Sequence, residues 1–291
     1  MNNSYVVMTD SSADLTAELV EELGLDVIPL SVNVGEKSFM NYPDEREIGS
    51  HDFYEMLRNG ANAKTSAVNV DTFLNAMSVH LKAGKDVLYL GFSSGLSSTY
   101  SASEIAAQEL RDTYPDRKIL TVDTLAASLG QGLLVYLTMQ KVLAGATIEE
   151  AAAFAEENRL HLCHWFTVDD LFFLKRGGRV SAATALVGSA LGIKPVLHVD
   201  NEGHLINVSK ARGRKNSILA LVDRMEQSAI DPAKQTIFIS HGDCRDDAEF
   251  LADELRKRFG ISDITINYVG PVIGAHSGPG TLALFFLGTA R

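Results

Sequence analysis

Residues 86–110 read DVLYLGFSSGLSSTYSASEIAAQEL, and this stretch contains the unit from which the fold can be predicted. The apolar run DVLYL (86–90) is typical of a buried strand, and residues 101–114 have the apolar spacing of a helix. Between them, residues 91–102 carry six serine and threonine side chains. The sequence therefore predicts a strand, a hydroxyl-rich loop and a helix in direct succession.

The same succession recurs on both sides of this unit. SYVVMTD (4–10), LDVIPLSVNVG (25–35) and KILTVDT (118–124) are predicted strands, and helical patterns lie between and after them. This alternation predicts an α/β fold with a largely parallel sheet and helices on both faces. After the first strand, Ser11 and Asp14 have the spacing of a capping box, and Gly24 is predicted to end the helix that follows.

The second half of the chain has a different pattern. KPVLHVDNEGHLINVSKARG (194–213) predicts a hairpin with its turn at 201–203, and residues 263–276 and 281–288 read as strands. SAATALVGSALG (181–192) reads as a helix of small residues. We therefore predict two domains: an N-terminal α/β domain over 1–160 and a smaller C-terminal α+β domain over 161–291.

Composition excludes several classes of protein. The 291 residues carry a formal net charge of -11, which argues against a nucleic-acid binder. Cys163 and Cys244 make neither a disulfide framework nor a zinc site, and no metal, Walker or dinucleotide motif is present, so we expect no cofactor. We expect no signal peptide and no transmembrane helix. These features predict a reduced, cytoplasmic protein.

The hydroxyl-rich loop allows three interpretations. Gly91–Gly95 matches G-x-S-x-G, so Ser93 is a candidate nucleophile of a serine hydrolase, with Asp243 and His276 following in chain order. Alternatively, Ser97, Ser98 or Thr99 caps the following helix. The third interpretation, which we favour, is a cradle of hydroxyl and N–H groups for an anion.

Two further segments carry candidate polar groups. Lys64-Thr65-Ser66 is predicted to be a loop before a helix, and loops that follow parallel strands meet at one edge of the sheet. Several hydroxyl groups could converge there: Ser11, Ser12, Thr65, Ser66, Ser97, Ser98 and Thr124. His276 lies in a segment (270–280) predicted to be a glycine-rich loop, where a ligand can approach the backbone.

Basic residues are concentrated in the second half, around 175–179 and 194–215. They form either a solvated face or a docking surface for an acidic partner or a phosphorylated substrate. The candidates for docking are Arg179, Arg212 and Arg214.

Eight segments read together resemble the DegV family, in collinear order along the whole chain: DSSADLT, KTSAVNV, FSSGLSSTYSA, VDTLAASLGQGLLV, FTVDDLFFLKRGGRVS, LGIKPVLHVDNEGHL, KARGRK and VIGAHSGPG. The resemblance implies a protein that binds one long-chain fatty acid, such as palmitate, stearate or oleate, between two α/β domains. It further implies a non-catalytic carrier, the fatty-acid-binding subunit of a bacterial fatty acid kinase. A separate kinase subunit would phosphorylate the bound carboxyl group for phospholipid synthesis, and transient membrane contact is compatible with this role.

The resemblance also assigns the carboxylate contacts. By motif they fall on Thr65, Ser97 and His276, with Ser66 and Ser98 as further candidates. The family usually continues its T-S pair with a polar residue and Pro-Ser, whereas this chain has Ala67-Val68-Asn69. Apolar residues for a tunnel are available in VSAATALVGSALGI (180–193) and LALFFLG (282–288).

Overall fold

The structure is a computed structural model that describes residues 4–181 and 192–291. The strands in these ranges are β1 (Tyr5–Asp10), β2 (Asp26–Ile28), β3 (Ser31–Val34), β4 (Lys37–Met40), β5 (Ala63–Ser66), β6 (Asp86–Gly91), β7 (Ile119–Asp123), β8 (Leu162–Thr167), β9 (Ile193–Val199), β10 (Leu205–Arg212), β11 (Ile237–His241), β12 (Ile264–Tyr268) and β13 (Leu282–Leu287).

The helices are α1 (Ala17–Leu23), α2 (Ser50–Arg58), α3 (Val70–Lys82), α4 (Thr99–Thr113), α5 (Leu129–Leu143), α6 (Ile148–Asn158), α7 (Leu171–Arg176), α8 (Arg214–Ser228), α9 (Arg245–Phe259) and α10 (Pro271–Ser277). Short 3-10 turns cover Ser11–Ala13 and Pro232–Lys234. The part of the predicted small-residue helix and tunnel segment that covers 182–191 lies outside the described residues.

The predicted parallel sheet is confirmed. Its strand order is β2-β1-β6-β7, and every pairing is parallel. Val87 and Tyr89 of β6 pack against one apolar cluster with α3 and α4, whereas Leu88 and Leu90 pack against another with α5 and α6. Helices therefore cover both faces, which is why DVLYL is apolar at nearly every position.

A second sheet in the first half was not predicted. β3 pairs antiparallel with β4 and β5, so the segment 25–35 contains two strands in different sheets. The prediction of a loop at Lys64–Ser66 is wrong, because these residues belong to β5. Only alternate residues of β5 are partly buried, so the strand has no apolar run by which it could be recognised.

The second half forms a six-stranded mixed sheet in the order β10-β9-β8-β13-β11-β12. The predicted hairpin is confirmed: β9 and β10 pair antiparallel, and the turn lies between Asp200 and His204. The prediction of a strand, or of a glycine-rich loop, across 270–277 is wrong. β12 ends at Tyr268, and α10 begins at Pro271, where the ring suits the first turn of a helix.

The start of the chain also differs from the prediction. Ser11 and Asp14 form no capping box: Ser11 starts a 3-10 turn, Asp14 takes a left-handed conformation with φ 51°, and Thr16 caps α1. Gly24 does end α1, with φ 64°, as predicted. Sequence spacing alone could not separate these cases, because a buried polar turn and a capping box use the same residue types.

The two halves share apolar packing. One buried cluster contains Val7 and Leu88 from the first half together with Phe166 and Phe285 from the second. α5 contacts strands of both large sheets and lies between them. The domain boundary at residue 160 stays a prediction. Within the described ranges, no helix is long and apolar enough to cross a membrane.

Candidate functional site

A cavity of about 310 Å³ lies where the two halves meet. Most of the described residues that line it are apolar, and they come from both halves of the chain. Ala283 and Phe285, from the predicted tunnel segment 282–288, are among them. A cavity of this size and composition suits an apolar small molecule with one polar group.

Thr65 and His276 meet at the wall of this cavity. Thr65 Oγ1 lies 2.8 Å from His276 Nε2, although the two residues are 211 positions apart in sequence. β5 carries Thr65, and α10, which carries His276, packs against β5 and β3. The second sheet and the late helix therefore bring together two of the three residues assigned by resemblance.

The imidazole of His276 is held in its neutral form. Burial and, to a smaller extent, the positive charge of Arg179 lower its pKa to about 4. Its Nδ1 is buried without a hydrogen-bond partner in the described part of the chain, and it faces Gly177, where an added Cβ would lie only 2.3 Å away. The ring therefore offers the cavity a neutral Nε2 that can donate or accept a hydrogen bond, depending on the tautomer.

Ser97 lines the same cavity and is tied to the T-S segment through Thr99. Ser97 Oγ lies 2.9 Å from Thr99 Oγ1 and accepts a hydrogen bond from the Thr99 N–H at 3.2 Å. Thr99 Oγ1 also accepts from the N–H of Val68. Ser97 thus supports the start of α4 as well as the cavity, so the cap and the cradle are not exclusive alternatives.

The unusual Ala67-Val68-Asn69 stretch has clear structural roles. Ala67 lines the cavity, Val68 is buried, and Asn69 caps α3 by accepting from the N–H of Thr72. Of the further candidates, Ser98 is exposed but lines the cavity. Ser66 is exposed and is not among the cavity-lining residues, because it follows Thr65 on a strand and points the opposite way.

Most other predicted hydroxyl groups do not reach the large cavity. Ser11 Oγ accepts from the N–H of Leu30, and Thr124 Oγ1 donates to the carbonyl of Gly91. Neither these residues nor Ser12 belongs to the described cavity wall. The hydroxyl groups of Ser11 and Thr124 satisfy buried backbone groups near the ends of β1 and β7, which is the commoner use of such residues.

Arg179 lies in the cavity wall. Its guanidinium donates to the carbonyl of Leu96 at 3.0 Å and 3.2 Å and to the carbonyl of Gly177. Burial lowers its pKa, and two of its donors are directed at the Leu96 carbonyl in the S-S-G-L-S loop. Sequence reasoning placed Arg179 on a docking surface and missed this contact, since backbone acceptors leave no signal in a sequence.

The remaining two arginines differ from each other. Arg214 is only 20% exposed, donates to Asp247 at 2.8 Å and lies 3.7 Å from Asp169. Arg212 is exposed at the end of β10, and across residues 4–181 and 192–291 its side chain makes no ion pair. We therefore narrow the docking prediction from the three arginines to Arg212.

The residues of the hydrolase hypothesis are not assembled. Ser93 is fully buried, and its hydroxyl donates to the carbonyl of Gly203 at 2.9 Å. Asp243 pairs with Arg58 and His51, and His276 pairs with Thr65. A nucleophile needs its base within hydrogen-bond reach, so this arrangement speaks against a Ser93 triad.

The thiols and metal-binding side chains show no reactive grouping. Burial raises the pKa of Cys163 to about 11 and that of Cys244 to about 12, which leaves both thiols protonated. In the described part of the chain, no group of three or more His, Cys, Asp and Glu side chains is placed to hold a metal ion.

Comparison with known proteins places the chain among relatives along its whole length. The sequence model of the family described as "Uncharacterised protein, DegV family" matches residues 4–289. A DegV domain-containing protein of Clostridium perfringens is 46% identical over 287 residues, covering 99% of this chain and 98% of that protein.

Solved structures agree in fold. A protein of Thermotoga maritima described as a DegV lipid-binding protein has a TM-score of 0.86 and 31% identity, covering 99% of both chains. A DegV family protein of Thermus thermophilus, described by its fatty acid binding, has a TM-score of 0.85 and 31% identity, covering 97% of this chain and 98% of that one.

Proposed function

Because this chain belongs to the DegV family, we propose that it binds one long-chain fatty acid in the cavity between its two halves. The observation that carries the proposal is the Thr65–His276 pair at the wall of a mostly apolar cavity. The fatty-acid binding described for the Thermus thermophilus relative supports it.

The carboxylate would be held by neutral groups. Thr65 Oγ1, Ser97 Oγ and His276 Nε2 are the groups we assign, with hydrogen bonds to the carboxylate replacing the one between Thr65 and His276. Ser98 is a further candidate at the same cavity. Ser66 stays a prediction that the geometry does not support. Arg179 uses its donors on backbone carbonyls, so no arginine fork is needed to grip the carboxylate.

The tail supplies most of the binding energy in this account. About 15 methylenes at roughly 0.8 kcal/mol each give on the order of 12 kcal/mol before the costs of association. The headgroup contacts then orient the ligand more than they hold it. Palmitate, stearate and oleate are ligands of suitable length.

We further propose that the protein is a non-catalytic carrier in the cytoplasm. It would present the carboxyl group to a separate kinase subunit, and the acyl phosphate would enter phospholipid synthesis. Neutral donors suit this role, because they tolerate the change from carboxylate to acyl phosphate without a fixed ion pair to break. The fatty acid would reach the protein during a transient membrane contact.

Ser97→Ala is expected to weaken binding of palmitate by about 1 to 3 kcal/mol, because a buried charged acceptor loses one donor. The same change is expected to lower the free energy of unfolding by about 1 kcal/mol, because the Thr99 N–H loses its acceptor. Ligand titration and urea unfolding measure the two effects separately.

Ser94→Ala is the matched control, since Ser94 lies in the same loop but is not among the cavity-lining residues. It should leave both quantities unchanged. If Ser97→Ala lowers the stability but leaves the affinity for palmitate unchanged, Ser97 does not bind the carboxylate and serves only as a cap of α4.

Arg212→Glu is expected to reduce kinase-dependent phosphorylation of the bound fatty acid at least tenfold, because an exposed charge at an interface is reversed. Binding of the fatty acid itself should not change. Lys234→Glu, at an exposed lysine paired with Asp231, is the control. Equal phosphorylation rates in the Arg212 variant and the wild type would remove Arg212 from the docking surface.

A further inference from the structure

A chain of hydroxyl groups links a buried carboxyl group to the wall of the large cavity. Ser128 Oγ lies 2.6 Å from Asp14 Oδ2 and 3.1 Å from Ser240 Oγ. Asp14, Ser128 and Ser240 are all buried. Ser128 and Ser240 line the large cavity, and Asp14 instead lines a second, small cavity of about 30 Å³. The carboxylate site of the proposed function does not use any of these three residues.

The backbone of Ser128 is strained. It precedes α5 with φ 55° and ψ −149°, a conformation that residues with a Cβ rarely adopt. A serine at this position usually caps its helix, but this side chain makes no capping hydrogen bond. Its hydroxyl group is turned toward Asp14 and Ser240 instead. Backbone strain of this kind concentrates at ligand-binding sites, and here it fixes a hydroxyl group at the cavity wall.

On one side of its sheet Ser240 is paired with Asn267 of β12, whereas the neighbours on the other side are apolar. On its sheet it is paired with Ala283 in the neighbouring strand, and Phe166 is paired with Ala283 on the far side. Ser128 is the one hydrogen-bond partner of the Ser240 hydroxyl among the described residues. An unbranched hydrocarbon tail would gain nothing from a hydroxyl group at this place.

The hydrogen bonds that Asp14, Ser128 and Ser240 can form indicate which ligand group would bind at Ser240. If Ser128 donates to an ionised Asp14, Ser240 donates to Ser128 and keeps free lone pairs toward the cavity. If a protonated Asp14 donates to Ser128, Ser128 donates to Ser240, whose own proton then remains free. Below about pH 8, where Asp14 keeps its proton, the second arrangement holds and Ser240 can donate a hydrogen bond to an oxygen atom of the ligand. A ligand hydroxyl group can accept that hydrogen bond, and it also suits the first arrangement because it can donate one.

We propose that Ser240, supported by Ser128 and Asp14, forms a second polar subsite that binds a hydroxyl group on the acyl chain. The preferred ligand is then a mono-hydroxylated long-chain fatty acid. This inference rests on the proposed function, since it needs a fatty acid in the same cavity.

The test compares stearate with a series of monohydroxystearates that differ only in the position of the hydroxyl group. We expect at least one isomer to bind the wild type as tightly as stearate or more tightly. Ser240→Ala should weaken the binding of that isomer roughly five- to tenfold, and the affinity for stearate should stay within about twofold of the wild-type value. Ser128→Gly, which removes the hydroxyl group and suits the backbone conformation, should act in the same direction.

Ser217→Ala is the control, because Ser217 is buried on α8 and donates to the carbonyl of Arg214, away from the cavity wall. If stearate binds but the ratio of each isomer to stearate is the same in the wild type and in both cavity variants, the subsite is refuted and the proposed function stands. If neither stearate nor any isomer binds, the proposed function itself is refuted.

Discussion

Replacing Asp14 with asparagine is expected to stabilise the protein by about 3 to 4 kcal/mol at pH 7. Burial raises the pKa of Asp14 to about 8, opposed by the hydroxyl group of Ser128 and the backbone amide of Gly270. The coulombic effect of Asp10 is a smaller contribution in the same direction as burial. Asparagine keeps the shape and an amide near Ser128 without a carboxyl group that the fold prevents from ionising.

The sign of the pH dependence follows from the raised pKa. The unfolded chain releases the Asp14 proton above about pH 4, whereas the folded chain keeps it until about pH 8. Wild-type stability therefore falls by about 1.4 kcal/mol per pH unit between these limits on account of this group. The difference in free energy of unfolding between Asp14→Asn and the wild type should grow with pH over that window and become constant above about pH 8. The buried histidines contribute equally to the pH dependence of both proteins, so their contribution cancels when the two unfolding free energies are subtracted.

Urea unfolding at several pH values between 5 and 9 measures this difference. Asp10→Asn gives the contrast, because Asp10 accepts from the Ser12 and Phe92 N–H groups and from the Tyr89 hydroxyl. In Asp10→Asn, the side-chain NH₂ group would lie against N–H and O–H donors that now hydrogen-bond to the carboxylate. That variant should therefore be destabilised. A difference between Asp14→Asn and the wild type that does not change with pH would show that Asp14 is not held protonated.

Shortening the fatty acid by four methylenes is expected to weaken binding by about 3 kcal/mol, or roughly 200-fold. The reason is that the cavity wall is mostly apolar, while the groups proposed to hold the carboxylate are neutral. Competition between palmitate and laurate measures the ratio. The contacts to the carboxylate and to the tail are separate. Ser97→Ala should therefore weaken the binding of both palmitate and laurate and leave the ratio of their affinities unchanged.

Affinities for palmitate and laurate within about threefold of each other would contradict this account. Such a result would mean that the headgroup dominates binding and that the cavity does not enclose the tail. A negative heat-capacity change on binding is a second expected signature, since the ligand transfers apolar surface out of water.

The parallel sheet could be predicted from sequence because its strands are buried on both faces and therefore read as apolar runs. β5 could not, since its alternate residues Lys64 and Ser66 are exposed and its length is only four residues. α10 was missed because Gly270, Pro271 and Gly274 usually punctuate loops. Here Pro271 starts the helix, and Gly274 lets it approach the Tyr54 ring, where an added Cβ would lie 2.5 Å from the hydroxyl oxygen.

The candidate site was only partly accessible from the sequence. The hydroxyl groups of 91–102 indicated an anion cradle, but the meeting of Thr65 with His276 came from family resemblance, and no local pattern encodes it. Thr99 and Arg179 were not recognised as supports of the site, because their partners include backbone groups. The strained backbone of Ser128 is equally invisible in a sequence, as it depends on packing at the start of α5.

The most direct test of the central claim is mass spectrometry of an organic extract from the purified, natively folded protein. The account predicts one long-chain fatty acid per chain, and the identity of that acid would show whether its chain is hydroxylated. An extract without fatty acid, from protein that also fails to retain palmitate and oleate after incubation, would contradict the claim that this cavity is a fatty-acid site.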